Sequence, residues 1–480
     1  MLKDQLSSVI KNMCNKNPTK GQEELISNIS DFIVSSGDKD IFLLKGYAGT
    51  GKTTTISAMV QALEELKIRT ILLAPTGRAA KVLSMYTHQI AYTIHKQIYR
   101  QKSSKDGFGN FMLDKNMYSN TFFVIDEASM IANQSIDKSV FGTGQLLNDL
   151  LEYVYNGKHC KIILIGDTAQ LPPVGNPVGP ALDKSYFEGL RYTVTEIELT
   201  EVVRQTENSG ILYNATLIRN IIAAKSIEYP KFKLDGFSDM QRLGGADLIE
   251  ELNSAYEKYG LNQTIVICRS NKRANLYNAG IRSQILWREE QLAVGDYLMI
   301  VKNNYFWLHD FEAVDFIANG DIAKVTRIFR YHDKYDYHFV DVSLEFIDYE
   351  NIEIDARILL DTLTLETASL KSEDNKKMFY TILEDYAEIK PKEQQYLKVR
   401  SNKFFNALQV KYAYAVTCHK AQGGQWKAVF IDQGYFTDEM LNIDYLRWLY
   451  TALTRSTEKV YLVNFNDPFF EDGKMETHFS

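Results

Sequence analysis

IFLLKGYAGTGKTTTISAMVQAL, residues 41–63, contains the pattern that decides the fold. A short apolar β-type run leads into G-x-x-x-x-G-K-T, from Gly46 to Thr53, and a helical pattern follows. A phosphate-binding loop requires this order of strand, loop and helix, because its glycines let backbone N–H groups surround phosphate oxygens at a helix N-terminus. The alternative is a glycine-rich turn that occurs by chance, which would not be expected to have a strand pattern before it and a helix pattern after it. The stretch therefore predicts a nucleotide site in which Lys52 reaches the β and γ phosphates and the Thr53 hydroxyl ligates Mg²⁺.

Two later apolar runs also end in polar side chains. TFFVIDEASM, residues 121–130, places Asp126 and Glu127 after a strand, and KIILIGDTAQLPPVG, residues 161–175, places Asp167 and Gln170 after another. An acidic pair at a strand end is often a helix N-cap. Beside a phosphate loop, the pair instead favours Mg²⁺ binding by Asp126 and activation of the attacking water by Glu127. Gln170 is either an ordinary turn residue or a side chain that faces the γ-phosphate.

Strands that alternate with helices, each with polar residues at its C-terminal end, predict a doubly wound parallel sheet with the nucleotide at that edge. The two prolines that follow Gln170, Pro172 and Pro173, stiffen their loop and offer flat apolar faces for base stacking.

Length and composition limit the class of protein. A chain of 480 residues exceeds what one hydrophobic core usually supports, so two or more domains are expected. No apolar run is long enough to cross a bilayer and no signal peptide is evident, which predicts a cytosolic protein. The four cysteines have no metal-type spacing. The formal charge of −7 does not exclude nucleic acid, since 54 Lys plus Arg residues can still line a groove.

The α/β pattern restarts from about residue 206 without a second phosphate loop. Strand and helix patterns at 263–286, 412–432 and 446–465 predict a second sheet whose loops carry Thr417, His419, Lys420, Gln422 and Arg455. Polar loops of this kind are expected if the second sheet closes over a nucleotide that is bound by the first sheet. Arg455 would then be an arginine finger that stabilises charge in the transition state, although it could also be a solvated cation at a helix C-terminus.

A series of short motifs, in order along nearly the whole chain, resembles the RecD/Dda branch of superfamily 1 DNA helicases. The motifs are GYAGTGKTT, APTGRAAK, TIHKQIY, VIDEASM, GDTAQLPPVG, LTEVVRQ, TCHKAQGG and YTALTRS. The resemblance implies two RecA-like domains that translocate 5′ to 3′ on single-stranded DNA, driven by ATP and Mg²⁺. The compact Dda-like layout fits best, because neither a large extra N-terminal domain nor a nuclease-like cluster is evident. One departure is Gly424, where relatives often carry serine or another small polar residue.

The resemblance also implies roles for single residues. Gln22 matches a glutamine that reads adenine, or it is a plain helix surface residue. Arg204 matches an arginine that contacts the γ-phosphate from the first domain, and Gln170 matches the glutamine that couples the domains. His95 and His419 match DNA contacts, or they are satisfied core groups.

The complete prediction for the site has four parts. The catalytic set is Lys52, Glu127, Gln170, Arg204 and Arg455. The cofactor-binding set is Gln22, Gly46, Ala48, Gly49, Thr50, Gly51, Lys52, Thr53, Thr54, Gln422 and Gly423. The Mg²⁺ ligands are Thr53 and Asp126. The DNA contacts are Thr76, His95, Pro173, Thr417, His419, Phe108 and Phe111.

Two insertions complete the expected α/β architecture. The first ATPase domain spans 1–205 with a β-hairpin at about 96–119, where KDGFGN carries a hairpin signal. This hairpin is either the pin that splits the duplex, with Phe108 or Phe111 at its tip, or a surface loop. The second domain spans 206–286 and 406–480. Residues 287–405 between them predict a small SH3-like β-barrel plus helices, whose aromatics either stack on bases or form the barrel core.

These patterns predict an ATP-dependent DNA helicase. Its expected partners are single-stranded DNA, tailed duplex DNA and single-strand-binding, replication or repair proteins, and the expected state is a monomer. One alternative is an ATPase that acts on RNA or strips proteins without unwinding, since grooves that follow the backbone tolerate both sugars. Another is a nucleotide-gated binding switch, against which Glu127, Gln170, Arg204 and Arg455 argue together.

Substitution of Lys52 by alanine tests the phosphate loop. We expect Lys52→Ala to abolish ATP hydrolysis, because the lysine supplies the charge that meets the β and γ phosphates. Steady-state release of inorganic phosphate measures this, and hydrolysis at the wild-type rate would contradict the assignment.

Overall fold

The computed structural model describes residues 2–14, 18–101, 111–133, 142–173, 179–201, 209–308, 317–347 and 352–471. Within these ranges, no helix is long and apolar enough to span a membrane. The chain forms two parallel sheets and a closed β-barrel. This arrangement confirms the fold class that the sequence predicts.

The strand that leads into the phosphate loop lies inside the first sheet. The six strands of this sheet, in the order β3-β2-β6-β7-β1-β8, all pair in parallel. They are β1 (Asp40–Gly46), β2 (Arg69–Ala74), β3 (Ala91–Thr93), β6 (Thr121–Ile125), β7 (Lys161–Gly166) and β8 (Thr193–Leu199). The helices are α1 (Leu2–Met13), α2 (Lys20–Val34), α3 (Lys52–Glu65), α4 (Gly77–Thr87), α5 (Ile94–Ile98), α6 (Leu146–Tyr155) and α7 (Lys184–Gly189).

Both faces of the first sheet are covered. Along β1, Phe42 and Leu44 belong to one buried cluster with α1, α2 and α3, whereas Ile41 and Leu43 belong to another with α5 and α6. Successive side chains of a strand point to opposite faces, so a strand buried on both sides reads as a continuous apolar run. IFLL is such a run, and its burial places the phosphate loop at the C-terminal edge of the sheet.

A short antiparallel hairpin follows α5. Its strands are β4 (Tyr99–Gln101) and β5 (Phe111–Leu113), with Tyr99 opposite Leu113. This pairing agrees with the predicted hairpin insertion. Its tip, with Phe108, lies outside the described residues.

The second sheet is also parallel, in the order β16-β10-β17-β18-β9. Its strands are β9 (Met240–Leu243), β10 (Thr264–Cys268), β16 (Ala415–Thr417), β17 (Trp426–Asp432) and β18 (Ser456–Val463). Its helices are α8 (Gly210–Ala223), α9 (Leu248–Tyr259), α10 (Asn271–Gln284), α13 (Cys418–Ala421) and α14 (Ile443–Leu453).

The barrel is inserted between β10 and β16 in the chain. It is closed by β11 (Tyr297–Ile300), β12 (Ile322–Lys334), β13 (Tyr337–Phe346), β14 (Ile352–Leu359) and β15 (Leu408–Tyr412). Helices α11 (Ser372–Glu384) and α12 (Lys392–Arg400) pack beside it through Phe339 and Leu359. Since β15 begins at 408, the barrel extends past residue 405, where the sequence predicts that the insertion ends.

A buried carboxylate joins the barrel to the second sheet. Asp296 is fully buried, and its oxygens accept hydrogen bonds from Arg282 of α10 at 3.1 and 3.2 Å, from Arg288 at 2.6 Å and from the Tyr414 hydroxyl at 2.9 Å. Removing one partner of such a buried pair leaves the other charges uncompensated. The orientation of the barrel on the second sheet therefore depends on this carboxylate.

We expect Asp296→Asn to lower the free energy of unfolding by about 3 kcal/mol, because the buried guanidinium group of Arg282 and the half-buried one of Arg288 lose their counter-charge. Urea unfolding followed by circular dichroism measures the change. Glu353→Gln, which breaks the exposed pair with Arg327, is the control and should cost less than about 1 kcal/mol. Equal losses in the two variants would show that Asp296 is no more important than a surface charge.

Candidate active site

The phosphate loop connects β1 to α3. Gly49 and Gly51 have φ angles of 76° and 81°, in the left-handed region that side chains disfavour. Thr50 closes the turn, since its N–H and hydroxyl both donate to Tyr47 O, at 3.3 and 2.8 Å. The free N–H groups of the first turn of α3 therefore face the loop, as an anion site requires.

Lys52 is the first residue of α3 and lies over the loop. Its ammonium group donates to the carbonyl oxygens of Gly46 and of Tyr47, the latter at 2.8 Å. Thr53 is half-buried and Thr54 is exposed on the same turn. The predicted phosphate ligands of this motif thus share one surface of the first sheet.

Gln22 supports the loop from α2. Its side-chain oxygen accepts the Thr19 N–H at 3.0 Å, and its side-chain nitrogen donates to Thr50 O at 3.1 Å. The residue is buried rather than a plain helix surface residue. This capping contact ties the start of α2 to the phosphate loop, and the adenine role stays a prediction.

The two carboxylates follow β6, the strand two places from β1. The Glu127 N–H donates to Asp126 Oδ1 at 2.8 Å, and Glu127 has a left-handed φ of 52°. Burial, together with the charge of Glu127, raises the pKa of Asp126 to about 6, while the Lys52 charge acts in the opposite direction. A nearby cation would stabilise this half-buried carboxylate in its charged form.

Thr53 and Asp126 suit magnesium in their chemistry. Mg²⁺ prefers oxygen ligands and usually keeps several waters, so one hydroxyl and one carboxylate beside a substrate phosphate are an ordinary protein contribution. Among the described residues, no cluster of three or more His, Cys, Asp or Glu side chains could hold a metal alone. The donor set therefore fits a metal that is shared with a nucleotide.

Arg455 reaches the first domain from the second. It follows α14, is only 4% exposed, and its Nη1 lies 3.7 Å from Glu127 Oε1. Its Nε donates to Thr451 O at 3.1 Å and its Nη2 to Thr454 Oγ1 at 3.2 Å. Arg455 is therefore not a solvated helix-end cation, because its guanidinium group faces the acidic pair of the other domain.

Gln170 also lies at this cleft. It is 7% exposed, and its side-chain oxygen is buried without a hydrogen-bond partner among the described residues. A buried amide oxygen without a partner is costly, so it marks a position where a ligand or a moving group can bind. The role of Gln170 at the γ-phosphate stays a prediction. Arg204, the other predicted phosphate contact, lies outside the described residues.

Sequence reasoning missed two side chains of α14 that contact the first domain. The Tyr450 hydroxyl bonds both Ala48 N and Asp167 Oδ2, and Thr451 Oγ1 accepts the Leu171 N–H at 2.9 Å. Both residues belong to the YTALTRS motif, but its pattern alone draws attention only to the arginine. Gln422, which was predicted, donates to Leu171 O at 2.8 Å.

Three of the predicted DNA contacts lie at the N-terminal ends of helices α4 and α13. Thr76 caps α4 by accepting the Ala79 N–H at 3.2 Å, and Thr417 and His419 are at the start of α13. Thr417 is half-buried and His419 is exposed, so His419 is not a core group. Burial lowers the pKa of His95 to about 4, which leaves its half-buried ring uncharged at neutral pH.

Two other predicted DNA contacts, Pro173 and Phe111, are at least partly buried by the protein. Pro173 is buried, so its ring does not offer an open stacking face. Phe111 is half-buried, and its ring centroid lies 4.4 Å from that of Tyr305, which follows β11. The hairpin therefore packs on the barrel side of the molecule. Their contacts with DNA stay predictions.

Gly423 and Gly424 bring the second domain against α4. A Cβ on Gly423 would lie 3.1 Å from Thr76 Oγ1, and a Cβ on Gly424 would lie 2.5 Å from the Trp426 ring. The Arg78 guanidinium covers the same ring at 4.0 Å. Glycine is required at 424 because Trp426 and Arg78 fill the space, which explains the departure from serine.

Two family models match the chain. An AAA domain matches residues 19–228, and a UvrD-like helicase C-terminal domain matches residues 412–463. The first match contains the phosphate loop, the acidic pair and Gln170, and the second contains Thr417, Gln422 and Arg455. The two matched regions thus supply the two sides of the cleft described above.

Curated relatives and solved structures are also similar to this chain. The ATP-dependent RecD2 DNA helicase of Deinococcus radiodurans is 30% identical over 198 residues, which are 41% of this chain and 24% of that protein. The ATP-dependent DNA helicase dda of Enterobacteria phage T4 is 26% identical over 291 residues, 59% of this chain and 60% of that protein. A crystal structure of Pif1 helicase from Bacteroides in complex with ADP-AlF3 and ssDNA has a TM-score of 0.47, with 16% identity and 96% and 94% of the two chains covered. The chain spans about a quarter of the RecD2 relative.

We expect Gly424→Ala to lower the free energy of unfolding by about 1–3 kcal/mol, because the added methyl group must displace the buried Trp426 ring. Chemical denaturation measures it. Gly280→Ala is a control with the opposite expected sign, since Gly280 lies within α10 with no heavy atom within 4 Å of its Cβ position. Unchanged stability of Gly424→Ala would show that the cleft is loosely packed.

We expect Arg455→Ala to leave ATP binding nearly intact and to reduce turnover by about 10³ or more, because the arginine acts on transition-state charge. Fluorescent-nucleotide binding and steady-state hydrolysis separate the two effects. Arg327→Ala, on the barrel surface, is the matched control. Equal hydrolysis by wild type and Arg455→Ala would contradict the assignment.

Proposed function

We propose that this chain, which matches an AAA domain over residues 19–228 and a UvrD-like helicase C-terminal domain over residues 412–463, is a superfamily 1 helicase of the RecD/Dda type and acts as an ATP-dependent DNA helicase. It translocates 5′ to 3′ on single-stranded DNA and separates duplex DNA. The observation that carries the proposal is the approach of Arg455, from the second sheet, to within 3.7 Å of Glu127 in the first.

The chemistry follows from the positions of these side chains. Lys52 and the amides at the start of α3 bind the phosphates, and Thr53 and Asp126 would hold Mg²⁺, which would neutralise negative charge on the nucleotide. Glu127 orients the attacking water and accepts its proton. Arg455, now paired with Glu127, moves toward the γ-phosphate as negative charge develops there.

Closure of the cleft couples this chemistry to DNA. Gly423 lies against Thr76, so the loop that carries Thr417 and His419 meets the first domain at one of its predicted DNA contacts. A shift of one sheet relative to the other therefore changes the spacing between the DNA contacts of the two domains. Each ATP cycle then moves the strand across Thr76 and His95. Gln170 couples the two events, because its loop is held by Gln422 and Thr451 of the second domain.

The remaining roles extend this proposal. Gln22 reads adenine, Arg204 contacts the γ-phosphate, and Phe108 or Phe111 separates base pairs at the hairpin. The protein acts as a cytoplasmic monomer on single-stranded and tailed duplex DNA. It works beside single-strand-binding, replication or repair proteins.

The test is steady-state ATP hydrolysis by the whole protein, alone, with single-stranded DNA and with an RNA strand of matched sequence. We expect strong stimulation by DNA, and then unwinding of duplexes that carry a 5′ tail but not of those that carry a 3′ tail. Stimulation by RNA alone would identify an RNA helicase. Stimulation by DNA without unwinding would indicate a translocase that strips proteins. No stimulation by either strand would favour a nucleotide-gated switch.

A further inference from the structure

The side chain of Tyr450 belongs to both domains. Its ring is 1% exposed and packs in the core of the second sheet, against residues of α8 and β17 among others. Its hydroxyl leaves that core, accepts the Ala48 N–H at 2.9 Å and donates to Asp167 Oδ2 at 2.7 Å. Burial, together with the Asp167 carboxylate, raises the pKa of this phenol well above its ordinary value. The hydroxyl therefore keeps its proton and can serve both partners.

Both partners of the hydroxyl lie in the candidate active site. Ala48 is the third residue of the phosphate loop, and the Arg219 guanidinium of α8 covers the neighbouring Tyr47 ring at 4.5 Å. Asp167 directly follows β7, and its other oxygen accepts the Ala169 N–H at 2.9 Å. This second contact shapes the turn that presents Gln170. One hydroxyl thus connects the phosphate loop to the Gln170 loop.

The next residues of α14 continue the contact with the first domain. The backbone of Leu171, next to Gln170, is held on both sides, since Thr451 Oγ1 accepts its N–H and Gln422 donates to its carbonyl oxygen. Thr451 O in turn accepts the Arg455 Nε–H. The position of Arg455 therefore depends on how firmly the preceding turn of α14 is docked on the first domain.

We propose that the Tyr450 hydroxyl is a positioning group for ATP hydrolysis, which docks the end of α14 on the phosphate loop and the Gln170 loop and so sets the distance of Arg455 from the transferred phosphate. The inference rests on the proposed function and adds a residue to it. Misplacement of a catalytic group by about 1 Å lowers the rate by up to about 10², so loss of the Tyr450 hydrogen bonds should have a measurable effect on turnover.

Tyr450→Phe tests the proposal, because it keeps the ring and removes only the hydroxyl. We expect DNA-stimulated kcat to fall by about 10-fold or more, while the affinity for a fluorescent ADP changes by less than about 2-fold. Tyr445→Phe is the matched control. Tyr445 is on the same helix and in the same core, but its hydroxyl accepts a long bond from Gln433, at 3.4 Å, within the second domain. The control should keep the wild-type kcat.

A double variant separates positioning from an independent effect. If Tyr450 acts through Arg455, Tyr450→Phe should lower kcat by less than about 2-fold when Arg455 is already alanine. A full additional loss in the double variant would overturn the proposal, and so would a wild-type kcat in Tyr450→Phe alone. A melting temperature far below that of Tyr445→Phe would mark the hydroxyl as merely structural.

A different measurement tests the proposed function. If DNA does not stimulate ATP hydrolysis by the wild-type protein, both the proposed function and the positioning role of Tyr450 are rejected. A wild-type protein that is stimulated by DNA, beside an unaffected Tyr450→Phe, rejects the positioning role alone.

Discussion

The contact between Arg455 and Glu127 is the interaction on which the candidate site depends. The two side chains come from different domains, since Glu127 follows a strand of the first sheet and Arg455 follows a helix of the second. A guanidinium group that is 4% exposed needs a charged partner, because burying an isolated charge is expensive. The carboxylate of the other domain supplies this partner. The stability of the closed cleft and its chemistry thus depend on the same pair of charges.

The parallel sheets explain why the pair can meet. In each sheet the strands deliver their polar residues to the C-terminal edge, where ligands bind in α/β folds. The two edges face each other, and the end of α14 crosses between them through Tyr450, Thr451 and Arg455. The buried oxygen of Gln170 lies in the same place and lacks a partner among the described residues. That oxygen needs a hydrogen-bond donor, and a water molecule bound in the cleft meets this requirement.

The barrel and the hairpin lie away from this chemistry. Asp296 anchors the barrel to α10 of the second sheet, and Phe111 of the hairpin packs on Tyr305 beside the barrel. A motion of the second sheet would therefore be transmitted to the hairpin through a packed aromatic contact. In the proposed helicase, this contact would connect the cleft to the hairpin.

Local patterns were enough to predict much of this protein. Gly46 to Thr53 identify a phosphate loop, because its glycines and its helix start are set by backbone geometry within a few residues. The apolar runs predict buried parallel strands for the same local reason, and Arg455 is the one charged residue of the motif YTALTRS. Tertiary structure alone decided the rest. The capping of Gln22 on Thr50, the packing of Arg78 beside Gly424 and the hydrogen bond of Tyr450 to Ala48 join residues that are from 28 to about 400 positions apart. No sequence pattern encodes a distance between two chain segments, since that distance results from the packing of whole domains.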